Sequence, residues 1–144
     1  MGMSVKGQLS YGFDVGFAEE QFGFYDDPAA PEWSCQDDPI GAAEQLLLDS
    51  IGFTETWSED NVGYFSRRKD AERELGVTFE LFGYVDWAGY LLVAEHRQSE
   101  QGIPLDINPV TLTVPDGTDD RLLRAAAVLE IERHPRWILT GLYF

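Results

Sequence analysis

Residues 76–96 read GVTFELFGYVDWAGYLLVAEH. Val77, Phe79, Leu81 and Gly83 would fall on one face of an extended chain, with Thr78, Glu80, Phe82 and Tyr84 on the other, because successive strand side chains point to opposite sides. Residues 90–96 are apolar enough to form a central strand, and the four residues 86–89 fit a hairpin connection. Both faces carry apolar groups, so helices are expected to cover at least one side of the resulting sheet.

Residues 104–117, PLDINPVTLTVPDG, are expected to form a short edge segment bounded by prolines. Asp119 is the expected cap of a following helix, in which Leu122, Ala126 and Leu129 form a stripe widened by Leu123, Ala127 and Ile131. Pro135 ends that element, and residues 136–144, RWILTGLYF, supply a last strand. Toward the N-terminus, Ile40, Ala43, Leu47 and Ile51 recur at helical spacing, with Leu46 and Leu48 broadening the stripe. Asp38 suits the cap of this helix, Pro39 its first turn and Gly52 its stop. Between the two, RRKDAERE at 67–74 supports either a solvated turn or a short helix. The basic group Arg67, Arg68 and Lys69 is balanced by Asp70, Glu72 and Glu74, which marks an ordinary surface cluster rather than a phosphate site. Residues 8–15 open with a strand whose Leu9, Tyr11 and Phe13 share a face. The expectation is an α+β fold, a mixed or antiparallel sheet of four to five strands packed by two main helices, in one domain over 1–144 with an acidic aromatic excursion at 14–39.

The chain has 144 residues and a formal net charge of −16, from 26 Asp and Glu against 10 Lys and Arg. Its hydrophobic content of 44 %, with nine Phe, six Tyr and four Trp, is enough for a core and argues against intrinsic disorder. So much negative charge repels phosphate backbones and anionic lipid, which disfavours direct contact with nucleic acid or membrane and favours a basic partner. The start MGMSVKGQLS has no apolar stretch of a secretory signal, and Cys35 is the only cysteine, so a reducing, cytoplasmic setting is expected. His96 and His134 are far apart and Cys35 belongs to no paired motif, so no structural zinc site is expected. No glycine-rich stretch has the form of a phosphate-cradling loop, so no cofactor is implied. Glu80, Asp86, Glu95 and His96 lie near the hairpin and are the nearest approach to acid–base chemistry, although Glu95 and His96 are adjacent in a strand and should face opposite ways. A small metal-assisted hydrolase is therefore a minor alternative.

The charge is unevenly placed. Residues 1–60 hold 13 acids and a single base, Lys6, whereas residues 61–144 hold 13 acids and nine bases. Within 14–60 the acids alternate with Phe17, Phe22, Phe24, Tyr25, Trp33 and Trp57. Protein interfaces use aromatic anchors for affinity and rim charges for steering. This pattern assigns Asp26, Asp27, Glu32, Asp37 and Asp38 to steering a basic partner, with Phe24, Tyr25 and Trp33 as anchors. A surface of that kind can imitate the backbone charge of DNA toward a nucleic-acid-binding protein. The function expected is a non-enzymatic protein-binding accessory or inhibitor, and the alternative is a structural or self-assembling protein, including a homodimer.

GQLSYGF at 7–13, YLLVAEHRQSEQGIPLDI at 90–107, LTVP at 112–115 and HPRWILTGLYF at 134–144 are similar to segments of a group of small, mostly uncharacterised acidic proteins of actinobacterial bacteriophages. The resemblance touches about a third of the chain. It implies a phage or prophage setting, in which such proteins act on host DNA-binding defence or other host machinery, and it carries no catalytic pattern. The acidic excursion at 14–39 is longer than the version typical of that group.

Overall fold

The computed structural model describes residues 4–17, 30–84, 87–100 and 103–144. Strand β1 (Val5–Phe17) is followed by a short 3-10 helix (Glu32–Cys35), helices α1 (Pro39–Ser50) and α2 (Tyr64–Leu75), strands β2 (Thr78–Tyr84) and β3 (Trp87–Gln98), helix α3 (Thr118–Val128) and strand β4 (Arg136–Tyr143). The four strands form a mixed sheet in the order β1-β3-β2-β4, closed into a barrel, and the fold is α+β. β3 lies between β1 and β2 and is antiparallel to both. β4 is antiparallel to β1 over eight residue pairs and closes the ring against β2 through a short parallel contact, Gly83 opposite Leu142 and Tyr84 opposite Tyr143. The rings of Tyr84 and Tyr143 stack at that seam, 4.9 Å between centroids.

The hairpin is tighter than its sequence suggests. Pairing continues to Tyr84 opposite Trp87, so residues 87–89 belong to β3 and not to the connection. Gly89 makes this possible: it faces Phe82, and a Cβ at Gly89 would stand 2.4 Å from the Phe82 ring. A second close approach bends β1. A Cβ at Gly12 would lie 2.0 Å from the Leu92 carbonyl oxygen, and the register with β3 slips between Tyr11 and Gly12, the mark of a bulge.

Cross-strand partners share a face, so Phe13, Leu92 and Phe79 line up across three strands beneath the helices. There they join Val15, Leu47, Val77, Leu122 and Leu129 in the main core. The other face of the same strands turns inward and carries Leu91 and Val93 together with the polar Gln8, Ser10, His96 and Thr140.

Among the described residues three α-helices form rather than two, since the charged run at 67–74 lies within α2. The ion pairs of Arg68 with Glu44 and Glu72 support its outer face, while Tyr64 and Ala71 are buried beneath. Asp38 caps α1 by accepting the Gly41 backbone N–H at 3.1 Å, and Pro39 occupies the first turn. α3 starts instead after Gly117, and Asp119, expected as its cap, lies in the first turn and accepts the Tyr11 hydroxyl at 2.6 Å. The expected edge segment is irregular over 103–117. Asn108 Oδ1 accepts the backbone N–H groups of Val110 and Thr111 in a local turn, and the carbonyls of Thr111 and Leu112 accept from the side chains of Arg97 and Trp137. These backbone groups are thereby committed to turn and side-chain bonds instead of a ladder.

Candidate functional site

Four of the eight residues expected to form the interface fall among the described residues. Phe24, Tyr25, Asp26 and Asp27 lie outside the described residues. Of the other four, Glu32 and Asp37 are exposed and Asp38 is committed to the α1 cap. Trp33 is not an exposed anchor. Only 3 % of it is accessible, its ring packs in the main core, and its indole N–H donates to the Leu129 carbonyl at 2.8 Å. Burial of the indole together with a partner for its one polar atom is the state a tryptophan reaches inside a protein. The stretch at 14–39 is correspondingly not a wholly irregular excursion: β1 runs through Phe17, and the 3-10 helix at its far end plugs Trp33 against α3.

Beside Trp33 the 3-10 helix and α1 leave a shallow groove of about 350 Å³, lined by Glu32, Trp33, Gln36, Gln45, Leu46 and Asp49 among others. Gln45 donates to Asp49 across one helical turn at 2.7 Å. The groove has acidic walls, yet it offers little exposed aromatic surface because Trp33 is turned inward.

An exposed aromatic and acidic surface exists elsewhere, at the corner between α1 and α2. The sequence there, FTETWSEDNVGYF over 53–65, places Trp57, Val62 and Phe65 within nine residues. These side chains are 58 %, 86 % and 62 % accessible. Glu59 and Asp60 are exposed between them.

The corner is held from below by Arg67. Its Nη2 donates to Glu55 Oε1 at 2.7 Å and to Asn61 Oδ1 at 2.6 Å, its Nε reaches both Glu55 oxygens, and its Nη1 donates to the Val62 carbonyl at 2.9 Å. Asn61 in turn donates to the Thr56 carbonyl at 3.0 Å, so one guanidinium and one amide tie both limbs of the loop. The Arg67 hydrogen bonds hold the Glu55 carboxyl below the usual carboxylate range. At the base, Phe53, Tyr64 and Phe65 form a chain of ring contacts with centroids 5.9 and 5.2 Å apart, and the Phe53 N–H is bonded to the Leu48 carbonyl of α1. The sequence signal for this corner was the tryptophan set among acids, followed by an Asn-x-Gly turn.

Among the acid–base candidates, Glu95 and His96 occupy successive register positions, opposite Tyr11 and Ser10, so they project to different faces. Glu80 is the carboxylate that approaches the imidazole. The Ser10 hydroxyl and His96 Nδ1 are 2.8 Å apart, and His96 Nε2 is 3.8 Å from Glu80 Oε2. Ser10 is fully buried in the barrel wall, with 0 % accessible, so its oxygen has no path to an external substrate, and a nucleophile must reach one to act. This array is a polar seam of the barrel. Asp86 lies outside the described residues. Among the described residues no three His, Cys, Asp or Glu side chains converge as metal ligands, and no helix is long and apolar enough to cross a membrane.

No family model matches the chain, and comparison with curated proteins and with solved structures returned no match.

Proposed function

We propose that this protein is a non-enzymatic binding module that docks its α1–α2 corner onto a basic protein surface, of the kind a nucleic-acid-binding protein presents, and so blocks or modifies that partner. The phage setting implied by the sequence resemblance makes a cytoplasmic host protein the target. The observation that carries this reading is the Arg67-braced corner, with Trp57, Val62 and Phe65 held outward beside Glu59 and Asp60. A braced loop loses little conformational entropy on binding, so more of the contact energy appears as affinity. Covering the exposed 58 % of the Trp57 side chain removes of order 100–150 Å² from water, which at about 25 cal/mol/Å² contributes roughly 3 kcal/mol, or about a hundredfold in Kd. The net charge of −16 speeds encounter with a basic surface and disfavours acidic competitors.

The test is affinity capture from host lysate with three baits: the wild type, Trp57→Ala, and the double variant Glu59→Gln/Asp60→Asn. Captured proteins are then purified and titrated by calorimetry at low and physiological salt, with duplex DNA as competitor. The expected result is a basic protein bound in competition with DNA, about a hundredfold more weakly by Trp57→Ala and with a flatter salt dependence for the double variant. A partner held equally by all three baits would remove the corner from the proposed role.

A further inference from the structure

We infer that the cleft between the C-terminal ends of α1 and α2 and the outer face of α3 is a binding site for a small carboxylate carrying a short apolar chain, with Arg121 as its counter-ion. The cleft has a volume of about 370 Å³, toward the small end of the range for small-molecule sites. Leu47, Ile51, Leu75 and Val128 give it apolar walls, and Arg121 and Arg124 supply positive charge on one side.

The chain carries 26 acids, and Arg67, Arg68 and Arg73 each find a carboxylate among them. Among the described residues, Arg121 pairs with no carboxylate. Glu74 lines the same cleft, and no ion pair among the described residues joins it to Arg121. A guanidinium has five N–H donors, and among the described residues that of Arg121 makes a single long hydrogen bond, Nη2 to Thr118 Oγ1 at 3.4 Å. Its Nε is buried without a partner.

Gly76 explains how the side chain comes to be there. With φ of +70° at the C-cap of α2, this glycine presents bare backbone, and a Cβ on it would stand 3.0 Å from Arg121 Nε. The guanidinium lies against that backbone, at the edge of an apolar cleft. Nε is closed off by that backbone, so the groups left to meet an anion are Nη1 and Nη2, which are not among the buried unpartnered atoms. A carboxylate is the planar anion that a guanidinium fork binds bidentately. The walls then select an apolar tail over a polar one. In the cleft wall Arg121 and Arg124 offset the charge of Glu74, and carboxylates farther off than the Debye length of about 8 Å are largely screened at physiological salt.

The probes are hexanoate, its uncharged analogue hexanamide, and acetate, added to the full-length protein. Hexanoate should bind in the millimolar range and raise Tm by about 4 °C at ten times its Kd. It should also shift the backbone amide resonances of Leu75, Ala125 and Val128. Hexanamide and acetate should do neither. Arg121→Met should abolish the hexanoate response, and Val128→Phe, which fills the cleft while leaving the arginine in place, should do the same and serves where the first variant folds poorly. An equal response to hexanoate and hexanamide would mean that the charge plays no part, and an equal response to acetate that the walls play none. Either result, or silence from hexanoate, overturns the assignment.

Discussion

Replacing Trp33 with phenylalanine separates a structural tryptophan from an interface tryptophan. The substitution deletes the indole N–H that donates to the Leu129 carbonyl at 2.8 Å, in a buried contact between residues 96 apart in sequence. Leu129 closes α3, where terminal carbonyls have no acceptor role within the helix. Stranding that buried carbonyl costs about 1–3 kcal/mol. The smaller ring also leaves a void in the core that Trp33 shares with Val15, Leu47 and Leu129, at a further cost of roughly 1 kcal/mol. The expected loss of about 2–4 kcal/mol lowers the urea midpoint by about 1–2 M, for a slope of about 2 kcal/mol/M. Far-UV circular dichroism is the suitable signal, since the fluorescence of the four tryptophans is itself altered by the change. Trp57→Phe, at a side chain 58 % accessible, is the control and should shift stability by no more than about 0.5 kcal/mol. Equal midpoints for the two variants would show that Trp33 is not inside the domain, and would return it to the surface role that its acidic neighbourhood suggests.

Two further outcomes follow from the hydrogen-bonded groups. Arg67→Ala should speed amide exchange at Asn61 and Val62 and return the Glu55 carboxyl to the usual carboxylate range in a carbon NMR titration. Because the folded-state pKa of Glu55 is depressed, the stabilisation it provides is complete above the ordinary range and is lost as pH falls through the lowered value; an unchanged titration in the variant would contradict the bracing role. Tyr11 is pushed up to about 12 by its hydrogen bond to Asp119, aided by burial and by the charge of that carboxylate. Its folded-state pKa is raised, so its contribution to stability is complete below about 10 and disappears as pH rises through about 12. Phenolate absorbance should show one tyrosine titrating late in the wild type and earlier in Asp119→Asn.

The local chemistry of this chain was sufficient for some of its regular elements. Asp38 and Pro39 set the start of α1, the apolar stripe from Ile40 to Ile51 made it amphipathic, and the alternation over 76–96 gave a hairpin, because these signals act between residues a few positions apart. Even here the hairpin's limit depended on Gly89 accommodating Phe82, a contact across strands. α2 was ambiguous in sequence because its charged run is compatible with turn or helix; its ion pair to Glu44 on α1 and the burial of Tyr64 and Ala71 are tertiary. Closure of β4 against β2 joins residues about 60 apart, which no local pattern encodes. The same limit governs the candidate site. Trp33 and Trp57 both stand among acids in the sequence, but one meets α3 and the other is lifted clear of the fold on a loop clamped by Arg67. Charge and aromatic content are properties of the chain; whether a ring faces water depends on which distant residues pack over it.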